Sequence, residues 1–319
     1  MGGDHAPRVV VEGAVEAAAS AGIGVTLVGP PDPIRAELDR LTGASAADIR
    51  IVPALETIEM GESPAKALRR KPQASIKVAA DLVARGEAAA LFSAGNTGAS
   101  VLAACRAFGL IRGAERPALA AILPTRRGKA ILLDVGANAN CRPRHLLTFG
   151  VMGAVYAHVG FGAAQPKVAL LSIGEEEIKG NALTREAHTL LRRSRLEFVG
   201  NVEARDVYAG GADVVVCDGF TGNVVIKVSE GIADMVEAVW QGGDVDAPPH
   251  AFEQLRRSLD YSEYGGAPLL GVAGVCVVGH GRSSKKAVCN AIVMAHRFAA
   301  EGLAGRIEQE LAVLRGSRV

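Results

Sequence analysis

Aromatic side chains are rare in this chain: Phe, Trp and Tyr make up 4% of its 319 residues. Gly (38 residues), Ala and Val are abundant instead. That balance suits close helix-on-sheet packing with many tight turns, as in α/β enzymes. Charge of one sign is also lacking. Thirty-five Lys and Arg against 34 Asp and Glu leave a net charge of +1, so there is no global electrostatic case for binding nucleic acid. No apolar run reaches ~18–20 residues, so no membrane-spanning helix is expected. The pattern of a secretory signal peptide is not found. The five cysteines (105, 141, 217, 276 and 289) form no CxxC pair, which excludes a disulfide framework and reads as reduced cytosolic thiols.

Several catalytic fingerprints are missing too. Neither GxxxxGK[ST] nor GxGxxG occurs, which argues against an ATPase and a Rossmann dehydrogenase. No GxSxG elbow is present, and no residue-level repeat has a solenoid period.

What is there alternates between strand and helix. Helices are expected at 8–21, 33–41, 75–86, 99–108, 146–161, 182–193, 221–241 and 284–302, with one more at the end. Strands are expected at 23–29, 49–54, 89–93, 118–123, 130–135, 168–173, 196–200, 214–217 and 275–278. The segment 55–71 reads as irregular and then basic, and 261–268 as a loop. This alternation predicts a mostly parallel sheet with helices on both faces. Length alone allows two or three domains of roughly 100–200 residues each. The chain reads as one catalytic α/β unit, subdivided at most into 1–90 with 265–319 and 91–264. GGDVDAPP, within a linker region 242–260, marks the change of character. An α/β domain usually opens with a strand, yet the loop MGGDHAP comes first, so a first strand is expected to lie outside this sequence.

Five apolar strands end in polar, glycine-containing turns: SAGNTG (93–98), DVGAN (134–138), SIGEEEIKGN (172–181), DGFTGN (218–223) and GHGRSS (279–284). Ligands of open α/β sheets bind at the carboxyl ends of strands. A helix N-terminus carries roughly +0.5 charge and unsatisfied N–H groups. For one turn alone, Asn, Thr and Ser acting as helix caps is the simpler account. Five such turns shift the balance towards an anion site. His5, beside Asp4, and His280, beside Arg282, Lys285 and Lys286, are proton-transfer candidates or solvated loop residues. Lys179, among Glu175, Glu176 and Glu177, is an anion ligand or part of an ordinary charged loop. Cys217 and Cys141 are conceivable nucleophiles, but Cys217 ends an apolar strand and reads as buried and inert. The basic clusters Arg69-Arg70-Lys71, Arg126-Arg127-Lys129 and Arg192-Arg193-Arg195 read as solvated faces or as a dock for an acidic partner.

The motifs MGGDHAP, SAGNTGA, LLDVGAN, SIGEEEIKGN, GNVEARD, DVVVCDGFTGN and YSEYGGAPLLG, in this order, resemble the PlsX family, the bacterial phosphate acyltransferases of phospholipid synthesis. The resemblance covers essentially the whole chain. It implies a three-layer α/β/α sandwich of the isocitrate/isopropylmalate dehydrogenase and phosphotransacetylase type, with a cleft at the strand carboxyl ends. It implies transfer of a fatty acyl group from acyl carrier protein to inorganic phosphate, without nucleotide or metal cofactor. A cytoplasmic homodimer follows, with peripheral contact at the inner membrane face and hand-off to a membrane glycerol-phosphate acyltransferase. The family's amphipathic hairpin between Trp240 and Tyr261, implicated in membrane contact, is short here.

On this reading Ser93, Asn96, Thr97, Gly98, Asn138, Asn181, Thr221 and Gly222 hold phosphate or the oxyanion. Lys179 and Asn223 assist, Asp218 orients a donor, and His5 or His280 protonates the leaving thiolate. Arg69, Arg70 and Lys71, then Arg126 and Arg127, are the candidate carrier docks. Two rivals remain: an NAD- and metal-dependent β-decarboxylating dehydrogenase, and a non-catalytic phosphate- or carrier-binding regulator.

Overall fold

A computed structural model describes residues 1–41, 48–241 and 264–316. The linker expected at 242–260 lies outside the described residues. The elements, in chain order, are α1 (Arg8–Ala21), β1 (Val25–Gly29), α2 (Pro31–Leu38), β2 (Ile49–Pro53), α3 (Pro64–Arg70), α4 (Ser75–Ala84), β3 (Ala90–Ser93) and α5 (Thr97–Phe108). Then come β4 (Ala118–Thr125), β5 (Gly128–Leu133), α6 (Pro143–Phe161), β6 (Lys167–Leu171), α7 (Ala182–Arg192), β7 (Glu197–Val202), β8 (Val214–Val216) and α8 (Gly219–Gln241). The chain ends with β9 (Ala267–Leu270), β10 (Val275–Val278), α9 (Lys285–Ala300) and α10 (Leu303–Gly316). Two compact units emerge: Met1–Arg112 with Tyr261–Glu308, and Gly113–Asp260 with Gln309–Val319.

The second unit shows why its strands read as unbroken apolar runs. β4 and β5 form an antiparallel hairpin, and β8, β6 and β7 follow in parallel. Successive residues of a strand point to opposite faces. Leu132, Ala169 and Val215 face a cluster that receives Val225 and Ile226 of α8. On the other face α6 packs so closely that a Cβ on Gly153 would lie 2.5 Å from Val214 Cγ1 and 3.0 Å from Leu133 Cδ2. Helices cover both faces, so both faces must be apolar.

In the first unit β1 and β2 pair in parallel. β3 pairs in parallel with β10, and β10 is antiparallel to β9. α1 packs on α9. Val11, Ala14, Leu27 and Ile34 form a buried cluster that Ile292 of α9 joins.

Two elements depart from expectation. The segment expected to be irregular contains α3. Ser63 precedes it and Pro64 opens it, where the missing N–H costs nothing. Seven residues are too few to show a helical period. The loop expected at 261–268 ends in β9, whose Pro268 stands opposite Val277. Proline weakens a strand signal, yet Pro268, Leu269 and Leu270 are buried.

Gly153→Leu tests the α6 contact. Overpacking of this kind costs about 1–3 kcal/mol. The urea midpoint is expected to fall with an unchanged m-value, and an unchanged midpoint would refute the contact.

Candidate active site

The polar turns separate into two groups, one in each unit. In the first unit three backbone segments meet at Gly3. A Cβ there would lie 3.1 Å from Ala94 O and 3.4 Å from Gly281 O. Asp4 N donates to Gly281 O at 2.9 Å, so the loop carrying the exposed Asp4 and His5 rests on the 279–284 turn. His280 Nδ1 accepts from Arg282 N at 3.2 Å, which places the proton of the neutral ring on Nε2.

Asn96 is buried and caps α5. Its Oδ1 accepts from Ala99 N at 3.0 Å. Its Nδ2 reaches the carbonyls of Glu59, Met60 and Glu62 at 3.0–3.1 Å. No side-chain donor of Asn96 is left for a ligand, which corrects the expectation that it grips an anion. Ser93 Oγ meets Ser100 Oγ at 3.0 Å and accepts from Gly95 N at 3.3 Å, so it too is engaged locally. The first turn of α5 stays open. Thr97 is exposed, and the N–H groups of Thr97 and Gly98 have no partner among the described residues. Those orphan donors and the helix dipole make this turn suited to an anion.

In the second unit the centre is Asp134, fully buried just past β5. Its Oδ1 accepts from the backbone N–H groups of Leu119, Gly136 and Ala137 at 3.0–3.2 Å. Its Oδ2 accepts from Asn138 N at 2.7 Å and Asn138 Nδ2 at 2.8 Å. Burial pushes its pKa up from the ordinary value, and the bonds from Ala137, Asn138 and Leu119 oppose that shift. The start of α8 lies against this loop. Gly219 N donates to Asn138 O at 2.8 Å. A Cβ on Gly222 would lie 1.9 Å from Asp134 O, so only glycine fits.

Asp218 caps α8, with Oδ1 accepting from Thr221 N at 2.9 Å and Oδ2 from the Thr221 hydroxyl at 2.8 Å. Gly222 N donates to Asp218 O at 3.0 Å. The N–H groups of Gly219, Thr221 and Gly222 are therefore spent, along with the Thr221 hydroxyl. This corrects the reading of DGFTGN as an open N–H cradle with Asp218 orienting a ligand donor: here capping is the better account. Asn138 is likewise held, its Nδ2 also donating to Pro117 O at 2.6 Å. Asn223 is exposed beside Gly136. The structure buries Cys217, and burial, followed by the charges of Asp218 and Asp134, pushes its thiol well above the ordinary value. Burial also pushes Cys141 up to about 11. Neither thiol is primed as a thiolate.

The SIGEEEIKGN loop is held by the same unit. Asn201 Nδ2 donates to Glu176 O at 3.0 Å. Glu177 pairs with Arg192 at 2.6 Å and lies 3.6 Å from His188 Nδ1. Among the described residues no group of three His, Cys, Asp or Glu could hold a metal. Asn181 caps α7 by accepting from Thr184 N at 3.0 Å. Lys179 is exposed. Sequence reasoning assigned no role to Asn201, although GNVEARD contains it. It is buried, its Oδ1 has no partner, and nearby Ser172 Oγ is also unpartnered, among the described residues.

Of the basic clusters, Arg69, Arg70, Arg126 and Arg127 are exposed. Lys71 is not a free dock cation. Its Nζ binds Thr57 O and Glu62 Oε2, each at 2.6 Å. No helix among the described residues is long and apolar enough to cross a membrane.

This α/β fold, with its mostly parallel sheet, is that of the phosphotransacetylases. The enzyme from Streptococcus pyogenes matches with a TM-score of 0.63 at 19% identity, covering 91% of each chain. The EutD phosphotransacetylase from Staphylococcus aureus matches at 0.52 and 17% identity, covering 91% of this chain and 99% of that one. The model of the family described as fatty acid synthesis protein matches residues 1–306, and the chain belongs to that family. Curated relatives called phosphate acyltransferase align over 98% of this chain. That of Pelotomaculum thermopropionicum is 48% identical over 92% of its own length. That of Heliobacterium modesticaldum is 47% identical over 96%, and that of Pelobacter propionicus 46% over 92%.

Asp134→Asn and Asp218→Asn give a graded test of the second unit. A buried donor left unmatched costs about 1–3 kcal/mol, and the new amide turns a donor towards several N–H groups. Thermal unfolding is expected to show a large loss for Asp134→Asn and a much smaller one for half-buried Asp218→Asn. Equal losses would remove Asp134 from the centre.

Proposed function

We infer that this chain is an acyltransferase that moves a fatty acyl group onto inorganic phosphate, giving an acyl phosphate. The observation that carries the reading is the alignment, over 98% of the chain at 46–48% identity, with proteins named phosphate acyltransferase. A nicotinamide-dependent dehydrogenase and a non-catalytic regulator are not favoured. The donor in this reading is acyl carrier protein, and the chain works as one catalytic unit in the cytoplasm.

The chemistry asks little of the side chains. A phosphate oxygen attacks the thioester carbonyl carbon, and an oxyanion develops. The C–S bond breaks, and the thiolate leaves with the electron pair. Phosphate is already ionised near pH 7, so binding and charge stabilisation carry the reaction. The open N–H pair at Thr97 and Gly98, with the Thr97 hydroxyl, supports the phosphate-binding role. Exposed Lys179 and Asn223 are assigned to charge stabilisation. Asn96, Asn138, Asn181, Asp218 and Thr221 hold the turns in shape. His5 or His280 supplies a proton to the thiolate. Arg69, Arg70, Arg126 and Arg127 receive the acidic carrier. Peripheral contact with the inner membrane face and hand-off of acyl phosphate to a membrane acyltransferase complete the proposal.

A homodimer belongs to the same reading, and α8 supports it. Phe220, Val224, Val228, Ile232, Met235 and Val239 are all exposed along this helix. Their spacing of three or four residues makes one apolar stripe. Lys227 pairs with Glu230, and Asp234 adds a further negative charge. An interfacial membrane helix would be rich in Lys and Arg, so the stripe suits a second copy better than a bilayer.

Purified protein mixed with palmitoyl carrier protein and phosphate is expected to form hydroxylamine-sensitive acyl phosphate. No product would refute the activity. Lys179→Ala and Asn223→Ala should each lower the rate about 10²-fold, as loss of one oxyanion donor does, while Cys217→Ser stays active. Normal rates for both variants would refute those roles. Sedimentation is expected to give a dimer that Ile232→Glu converts to a monomer, and a wild-type monomer would dismiss the stripe as an interface.

A further inference from the structure

Asn201 stands near the end of β7, buried, with its Oδ1 unpartnered among the described residues. An apolar side chain of the same shape would be more favourable there. The strand nevertheless changes course to put an amide in that place. In a regular strand, residues three apart point to opposite faces. Here the register of β7 against β6 shifts: Val168 stands opposite Phe198, Ala169 opposite Gly200 and Leu170 opposite Asn201. Val199 is the extra residue of a bulge, and Gly200 takes a φ of +101°, which glycine adopts without strain. Val168 and Leu170, two apart in β6, share a face, so Phe198 and Asn201 share it too. It is the face of α7, where Phe198 meets the His188 ring edge-on, with centroids 5.1 Å apart. Val202 points the other way, into the cluster of Ala169 and Leu171. Bulges of this kind re-aim a side chain beside functional sites.

The re-aimed amide holds the 172–181 loop. Asn201 Nδ2 donates to Glu176 O at 3.0 Å, and the same carbonyl accepts from Lys179 N at 3.0 Å. One oxygen thus joins β7 to the backbone of Lys179. On the far side of Lys179, Gly180 O accepts from Arg185 Nη1 at 2.7 Å. Gly174 lies under the lysine stem: a Cβ there would be 2.9 Å from Lys179 Cγ and 3.3 Å from Lys179 Cβ. An exposed lysine on a solvated loop needs none of these restraints. A cation that must meet a developing charge does, since a misplacement of about 1 Å can lower a rate by roughly 10²-fold.

We propose that Asn201 is a positioning residue for acyl transfer: by holding Glu176 O it fixes the backbone from which Lys179 meets the charge that develops on the reacting groups. Asn201 itself touches no substrate. The proposal rests on the assignment of Lys179 to charge stabilisation, and adds what holds that lysine in place. The N–H donor at 201 is the requirement, not the bulk of the side chain.

The test uses Asn201→Leu, which keeps the bulk and loses the donor, alone and combined with Lys179→Ala. Rates are measured on the full chain with palmitoyl carrier protein and phosphate. Asn201→Leu is expected to lower kcat about tenfold, with both KM values within about twofold of wild type. Tm is expected to stay near that of wild type, because an unpartnered buried acceptor goes with the lost donor. Amide exchange at Lys179 is expected to quicken about tenfold. In the Lys179→Ala background the same substitution is expected to change kcat less than about twofold, since residues that act as one unit are not additive. An unchanged kcat, unchanged exchange at Lys179, or an equal loss in both backgrounds overturns the proposal and leaves the role of Lys179 standing. An inactive wild-type chain or a normal rate for Lys179→Ala refutes the lysine's role, and the proposal falls with it. If Asn201→Leu does not fold, Asn201→Ala takes its place under the same criteria. Failure of both to fold makes Asn201 a residue of the fold and overturns the proposal.

Discussion

The carboxylate of Asp134 is the point on which the second unit turns. It is fully buried, and five N–H donors converge on its two oxygens. A buried carboxylate without such donors would be expelled or protonated. Here its donors define the path of the 134–138 loop and fix the Asn138 amide. The backbone of the same residue then sets how close α8 comes, because Gly222 lies directly over its carbonyl. One buried charge thus links the end of β5 to the start of α8.

Helix starts in this protein come in two kinds. At α8 the N–H groups of Gly219, Thr221 and Gly222 are taken by Asn138 and Asp218. At α5 the cap takes Ala99 and Ser100, and Thr97 N and Gly98 N have no partner among the described residues. The two turns are near twins in sequence, SAGNTG and DGFTGN. The difference lies in where the capping residue stands relative to the Thr. Asn96 spends its side chain one turn into its helix and on the distant 59–62 segment. Asp218, three residues before Thr221, folds back on it.

Much of this was legible in the sequence. Uninterrupted apolar runs such as 214–217 marked buried strands, and the helices expected at 182–193 and 284–302 match α7 and α9, although Asn181, expected to hold an anion, caps α7 instead. The mostly parallel α/β class followed from that alternation. β9 was hidden by Pro268 and by its shortness. α3 was hidden because seven residues display no period. In the site, residue types were visible but their partners were not. Asn96 looks like an anion ligand until the three carbonyls of 59–62 appear beside its amide. Lys71 looks like a surface cation until Glu62 and Thr57 take it up. Asp134 stood in plain view inside DVGAN, but nothing local shows that Leu119, fifteen residues back, donates to it. Long-range hydrogen bonds leave no periodic trace.

The clamp at Asn96 has a mechanical side. One side chain holds Glu59 O, thirty-seven residues away in the chain, and also the first turn of α5. Lys71 also ties down the 57–62 segment, through Thr57 O and the Glu62 carboxylate. The surface segment 59–62 and the first turn of α5 are therefore joined through the one Asn96 side chain. The placement of the Thr97 and Gly98 N–H groups is set from outside their own helix, by how firmly a remote stretch of surface is pinned.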